Sequence, residues 1–160
     1  MDLQLVPIEV LENCNIIIGQ SHFIKTVEDM YEAIACAVPG AKFGLAFCEA
    51  SGARLIRVDG TDEELIRAAE RDALAIGAGH SFVVVLGNCY PINVLNAIKN
   101  MPEVCTIFCA TANKVQVVVA SEGDQRGILG VLDGEMPLGT EKDADKTWRK
   151  EFLIKIGYKR

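Results

Sequence analysis

At 160 residues, half of them hydrophobic, the chain is long enough to bury one sizeable core, and a single domain spanning residues 1–160 is expected. A net charge of −6 and a pI near 4.9, with no basic run, exclude nonspecific nucleic-acid binding, so any phosphate it takes belongs in a local pocket. Apolar runs such as Phe82 to Leu86 fall far short of the roughly 20 residues of a membrane span; with no basic-then-apolar leader, a cytoplasmic protein without a membrane partner is expected.

Leu3 to Val10 and Asn15 to Ile18 read as two β runs that could pair as an N-terminal hairpin around the polar corner Glu12-Asn13. His22 lies in the lead-in GQSH, where an exposed or capping role is the expected one. Thr26 followed by Asp29 resembles a capping box, and Val27, Met30, Tyr31, Ile34 and Ala35 recur at helical spacing until Pro39-Gly40. Lys42 to Glu49 and Arg54 to Val58 predict a hairpin with a short turn, Ala50 to Ala53. At its tip Glu49, Ser51 and Arg54 gather beside Gly52, either as a ligand-binding corner or as a solvated turn whose ion pair contributes at most about 1 kcal/mol.

Thr61 and Glu64 predict a second capping box, opening a helix that turns Leu65, Ile66, Ala69, Ala73, Leu74 and Ile76 inward. Gly77 and Gly79 end it, and Ser81 to Leu86 reads as a buried strand, so His80 sits on a tight turn entering the core. A histidine so placed is either a buried, satisfied ring or a base, metal ligand or phosphoryl acceptor, since its reference pKa of about 6.5 leaves a neutral nitrogen near pH 7. Pro91 predicts a helix start with free amides suited to an anion, and Asn93 and Asn96 share one face near that positive end, as caps or as ligand-binding amides.

Glu103 to Ala112 and Lys114 to Ser121 predict a further hairpin hinged at Asn113. After the loop Glu122 to Arg126, the glycines of GILGVLDG fall within a β-like run, and Gly127 and Gly130 point to close approach of a ligand or another backbone. Neither a P-loop nor a dinucleotide fingerprint is present. Trp148, Phe152 and Ile156 mark a final amphipathic helix free to pack on the sheet or on a neighbouring subunit. The six cysteines, with no CxxC pair, are expected to pack as reduced thiols; Cys105 and Cys109, sharing a strand face with Ile107, leave room for a redox or metal role. These elements sum to an α/β domain, a mixed β-sheet with hairpins packed by about four helices.

The segments KFGLAFCEASG, GAGHSFVVVL, YPINVLNAIK, VCTIFCATAN, RGILGVLDG and the terminal GYK together resemble the adenosine-specific kinase family, in order and over nearly the whole chain. The resemblance implies an α/β subunit in a homo-oligomer, trimer or hexamer, that binds adenosine nucleotides (AMP, ADP, ATP) and carries a phosphorylated histidine. The histidine of GAGH falls on His80, Asn93 and Asn96 fall within PINVLN, and Asn113 within CATAN, while Tyr90 stands where phenylalanine is expected. Glu49, Ser51, Arg54, Arg126, Gly127 and Asp133 lie inside matching segments.

The expected function is therefore an adenosine nucleotide-binding kinase or phosphotransferase working through phosphohistidine at His80. The asparagines, the amides at Pro91, and Arg54 or Arg126 would meet the phosphoryl charge, helped by a divalent ion such as Mg2+. Glu49 or Asp133 would orient the ring or hold the ion. No resident protein metal site and no tightly bound organic cofactor are expected. The alternative is an oligomer that senses adenosine nucleotides without chemistry.

Overall fold

The computed structural model describes all residues, Met1 to Arg160. Eight strands and four helices follow in the order β1 (Asp2–Ile8), β2 (Asn15–Ser21), α1 (Thr26–Ala37), β3 (Phe43–Cys48), β4 (Ile56–Gly60), α2 (Glu63–Ile76), β5 (Ser81–Leu86), α3 (Pro91–Lys99), β6 (Val104–Thr111), β7 (Val115–Glu122), β8 (Gln125–Asp133) and α4 (Asp143–Lys155). The expected α/β class and its four helices stand. The strands divide between a five-stranded sheet, β4-β3-β5-β2-β6, and a three-stranded sheet, β1-β7-β8, where one mixed sheet was expected. Neighbours within each sheet run antiparallel. The helical crossovers each step over one strand, so parallel strands are never adjacent.

Strand alternation builds two cores on the two faces of the larger sheet. Ile17, Phe43, Leu45, Phe47, Phe82, Val84 and Leu86 pack against Met30 and Ile34 of α1 and Val94 and Ile98 of α3. Ile16, Ile18, Ala46, Val83 and Val85 face α2 and the inner valines of β7, Val115, Val117 and Val119. β5, apolar after Ser81, lies in the middle of its sheet and is buried throughout.

Two expected hairpins do not form. β1 pairs with β7, and β2 with β5 and β6, so the corner at Asn13 (φ 59°) carries the chain between sheets instead of folding it back. β6 and β7 likewise part at Asn113, which keeps negative φ; the hairpin partner of β7 is β8, joined through Gly123-Asp124. A bulge in β6 opposite Ile18/Gly19 turns Ile107 toward the α1/α3 core and Cys109 toward the other, undoing their shared face. Burial raises the thiols of Cys14, Cys48 and Cys89 and pushes Cys109 up to about 11, so all four stay protonated and unreactive near neutral pH.

The cap of α2 is Asp62, not Thr61: its carboxylate accepts from the amides of Glu64 (3.1 Å) and Leu65 (3.2 Å). Thr61 instead stitches β3, donating to Ala41 O and accepting from the Phe43 amide. Thr26 similarly donates to Phe23 O and is no cap for α1.

Glu103, only 1% exposed, has both carboxylate oxygens without a donor, and burial raises its pKa. The folded state therefore binds this proton more tightly than the unfolded chain does, which costs stability as pH rises above the ordinary glutamate value of 4.5. Glu103→Gln is expected to raise the urea midpoint at pH 7, with the gain vanishing in acid below that value.

Candidate functional site

The turn that bears His80 is fixed from three sides. Gly77 caps α2 in the left-handed conformation (φ 60°), where a Cβ would be strained and would also meet the Arg126 guanidinium at 2.9 Å. The His80 amide donates to Cys48 O at the end of β3 (2.7 Å), and its carbonyl accepts from the Ser21 amide at the end of β2 (3.0 Å). Ser81 closes the turn, its hydroxyl donating to Ala78 O (2.7 Å). His80 itself has φ 62°, a conformation that costs a non-glycine residue energy and persists only because these bonds over-determine it.

The imidazole lies parallel to the Phe47 ring, centroids 5.9 Å apart and 7° from coplanar. Its Nε2 faces Glu49 Oε1 at 3.8 Å. The Glu49 carboxylate is held in turn by the Ala50 amide (3.0 Å) and by Arg57 (3.2 Å), and Arg57 also donates to Ile24 O (3.1 Å). His80, Glu49 and Arg57 thus form one connected group on a cavity of about 670 Å3, whose wall also includes His22, Ile24, Ser51 and Arg54. A second cavity of about 730 Å3 adjoins it across the loop Ala50 to Arg54, with Glu49, Arg54, Asp124 and Arg126 on its wall. Arg126 and Gly127 reach a smaller recess of about 100 Å3 beside Gly79.

Of the residues singled out in the sequence, the fold brings His80, Glu49, Ser51 and Arg54 together, with Arg126 and Gly127 next door. Arg126 is anchored by donating to Gln4 (3.1 Å) and to Ala75 O (3.4 Å). The remainder lie elsewhere. Asn93 accepts from the Tyr90 amide (2.9 Å), so its side chain caps α3. That helix starts at the far end of β5 from His80, roughly 17 Å away at about 3.3 Å per strand residue, so within one chain its amides do not reach His80. Asn96 is exposed on α3 and borders none of these cavities. Asn113 and Asp133 bond to each other (3.3 Å) where β7 begins and β8 ends, the end of the sheets remote from His80. A Cβ on Gly127 or Gly130 would meet nothing within 4 Å, so no part of this chain requires glycine there.

Arg57, His22 and Phe47 were not read from the sequence as site residues. The hairpin explains the first: β3 ends at Cys48 and β4 begins at Ile56, so the loop is longer than predicted. The true register sets Arg57 opposite Phe47 and makes it the partner of Glu49, while Arg54 (φ 52°) turns out toward Asp124 at 4.0 Å. His22 joins because Gln20 pairs with Ser81, which brings the two histidines to the same end of adjacent strands. No three His, Cys, Asp or Glu side chains converge to hold a metal ion. A divalent ion such as Mg2+ would need most of its oxygen ligands from water or a bound molecule, with Asp124 the exposed carboxylate at hand.

These features define an α/β protein with a histidine-centred cavity lined by two arginines. The family model for adenosine-specific kinase matches residues 6–159, and the chain belongs to that family. Its fold is also that of the PH1918 protein from Pyrococcus horikoshii OT3, known from its crystal structure: 46% identical, TM-score 0.95, with 99% of this chain and 98% of that one covered. No protein of curated function matches it.

Proposed function

We propose that the protein is a phosphotransferase acting on adenosine nucleotides, in which His80 takes the terminal phosphoryl group of ATP and passes it on. The observation that carries this reading is the His80 ring, presented by a strained, well-anchored turn on a cavity where Arg54, Arg57 and His22 outnumber the one carboxylate, Glu49. In a chain of net charge −6, such a local excess of cationic and protonatable groups favours a phosphate ligand. Membership of the adenosine-specific kinase family supports the adenosine part. AMP, ADP and ATP are the nucleotides to test, with Mg2+ arriving on the phosphates.

A homo-oligomer, trimer or hexamer, belongs to the same proposal. It is supported by α4, which buries no residue and leaves Trp148 and Phe152 exposed, and by Leu3, Leu5 and Leu129, exposed on the smaller sheet. No helix is long and apolar enough to cross a membrane.

Arg57→Ala should weaken ATP binding about ten-fold or more by calorimetric titration, since a charged hydrogen bond contributes about 1.5–3 kcal/mol; Arg54→Ala should weaken it less, its side chain being 61% exposed. Asn93→Ala and Asn96→Ala should leave the titration unchanged. Identical curves for both arginine variants and the parent would discard the cavity as the phosphate site.

A further inference from the structure

We infer that Glu49 is the positioning residue for His80, holding the ring proton on Nε2 and leaving Nδ1 as the nitrogen that takes the phosphoryl group. The second half rests on the phosphotransfer reading above; the first stands on geometry alone. A neutral imidazole carries one proton, and the group facing a nitrogen decides which one carries it. Glu49 Oε1 lies 3.8 Å from Nε2, beyond hydrogen-bond length, and neither ring nitrogen is engaged in a hydrogen bond with the protein. A proton on Nε2 points at the carboxylate, whereas a bare Nε2 would oppose its lone pair to a negative oxygen. At that distance the contact is electrostatic, and the Nε2 proton is the partial positive charge that faces the carboxylate.

The carboxylate is not free to turn away. The Ala50 amide and Arg57 occupy its oxygens, and it is only 14% exposed, so its direction is set before any ligand arrives. The ring is not free either, being stacked on Phe47 and pinned through its backbone to Cys48 and Ser21. Arg57, Arg54 and His22 are the other charged or titratable groups on this cavity, and Arg57 is already tied to Glu49 and Ile24 O. Glu49 is thus the one carboxylate placed against the ring.

The Nδ1 lone pair forms the N–P bond as the bond from the γ-phosphorus to the bridging oxygen breaks, and that electron pair leaves with ADP. The ring, now bonded to phosphorus at Nδ1 and to hydrogen at Nε2, is cationic, and the Glu49 carboxylate offsets that charge. When an acceptor hydroxyl attacks phosphorus, the N–P electrons return to Nδ1 and the hydroxyl proton goes to water.

The test is 15N NMR of the full-length protein labelled at histidine, recorded above the pH at which the ring is cationic, followed by nitrogen–phosphorus correlation after incubation with ATP and Mg2+. The expected result is the Nε2–H tautomer at His80 and phosphorus on Nδ1. Glu49→Gln, whose amide can also donate to Nε2, should mix the tautomers and slow phosphorylation about 10–100-fold, in the range for loss of a group that orients a histidine. Its ATP affinity should stay within a few-fold of the parent.

An Nδ1–H tautomer in the parent, or phosphorus on Nε2, overturns the assignment, as does a Glu49→Gln variant that matches the parent in both tautomer and rate. A parent that never takes up phosphorus defeats the phosphotransfer reading and the Nδ1 assignment with it. In that case the tautomer spectrum still decides whether Glu49 orients the ring.

Discussion

His80→Ala is expected to abolish acid-labile label from γ-labelled ATP, a loss of at least about a thousand-fold, while ATP binding survives. Removing a nucleophile eliminates the covalent step and leaves only what binding and electrostatics supply. The loss should be selective because the phosphate-binding charges sit on other elements: Arg57 on β4 and Arg54 on the β3–β4 loop. Alanine also removes the stack on Phe47, yet the turn keeps its backbone bonds to Cys48 and Ser21, so the variant should fold. Labelling of the variant equal to that of the parent would remove the histidine from the chemistry.

Gly44→Ala should lower the unfolding free energy by about 3 kcal/mol, the upper end for overpacking. A Cβ there would lie 2.1 Å from the Leu65 carbonyl carbon and 2.2 Å from the Ile66 nitrogen, both backbone atoms of the first turn of α2, which cannot rotate aside as a side chain can. The same contact seats the first turn of α2 against β3, and that helix leads on to Gly77 and His80. Gly127→Ala is the control: with nothing within 4 Å of its Cβ, it should shift a urea curve little. A Gly44→Ala protein as stable as the parent would mean that α2 does not press on β3 as described.

Much of this arrangement could be read from residue order. Alternation and helical spacing locate the strands and helices, and the glycines around His80 announce its turn, because these signals are local. What a strand pairs with is not local. Asn13 and Asn113 look like hairpin corners, yet each hands the chain to the other sheet, since the valines of β7 find their inward-facing partners across the core and their ladder on β1 and β8. The site was legible where it depends on a turn, as with His80 and Glu49, and illegible where it depends on register. Arg57 becomes the partner of Glu49 only because the β3–β4 loop is longer than a tight hairpin, and His22 reaches the cavity only because β2 lies beside β5. Of the two roles open to Asn93, the fold shows the cap: a polar residue in the first turn of a helix satisfies a backbone amide.

The central claim is that nucleotide phosphate is delivered to the His80 ring in this cavity, and a crystal of the protein with Mg2+ and a non-hydrolysable ATP analogue tests it most directly. The account predicts the terminal phosphorus about 3–3.5 Å from a ring nitrogen of His80, with its oxygens met by Arg57 and Arg54. Phosphates bound instead at the start of α3, or anywhere from which Glu49 and Phe47 wall off the ring, would contradict it.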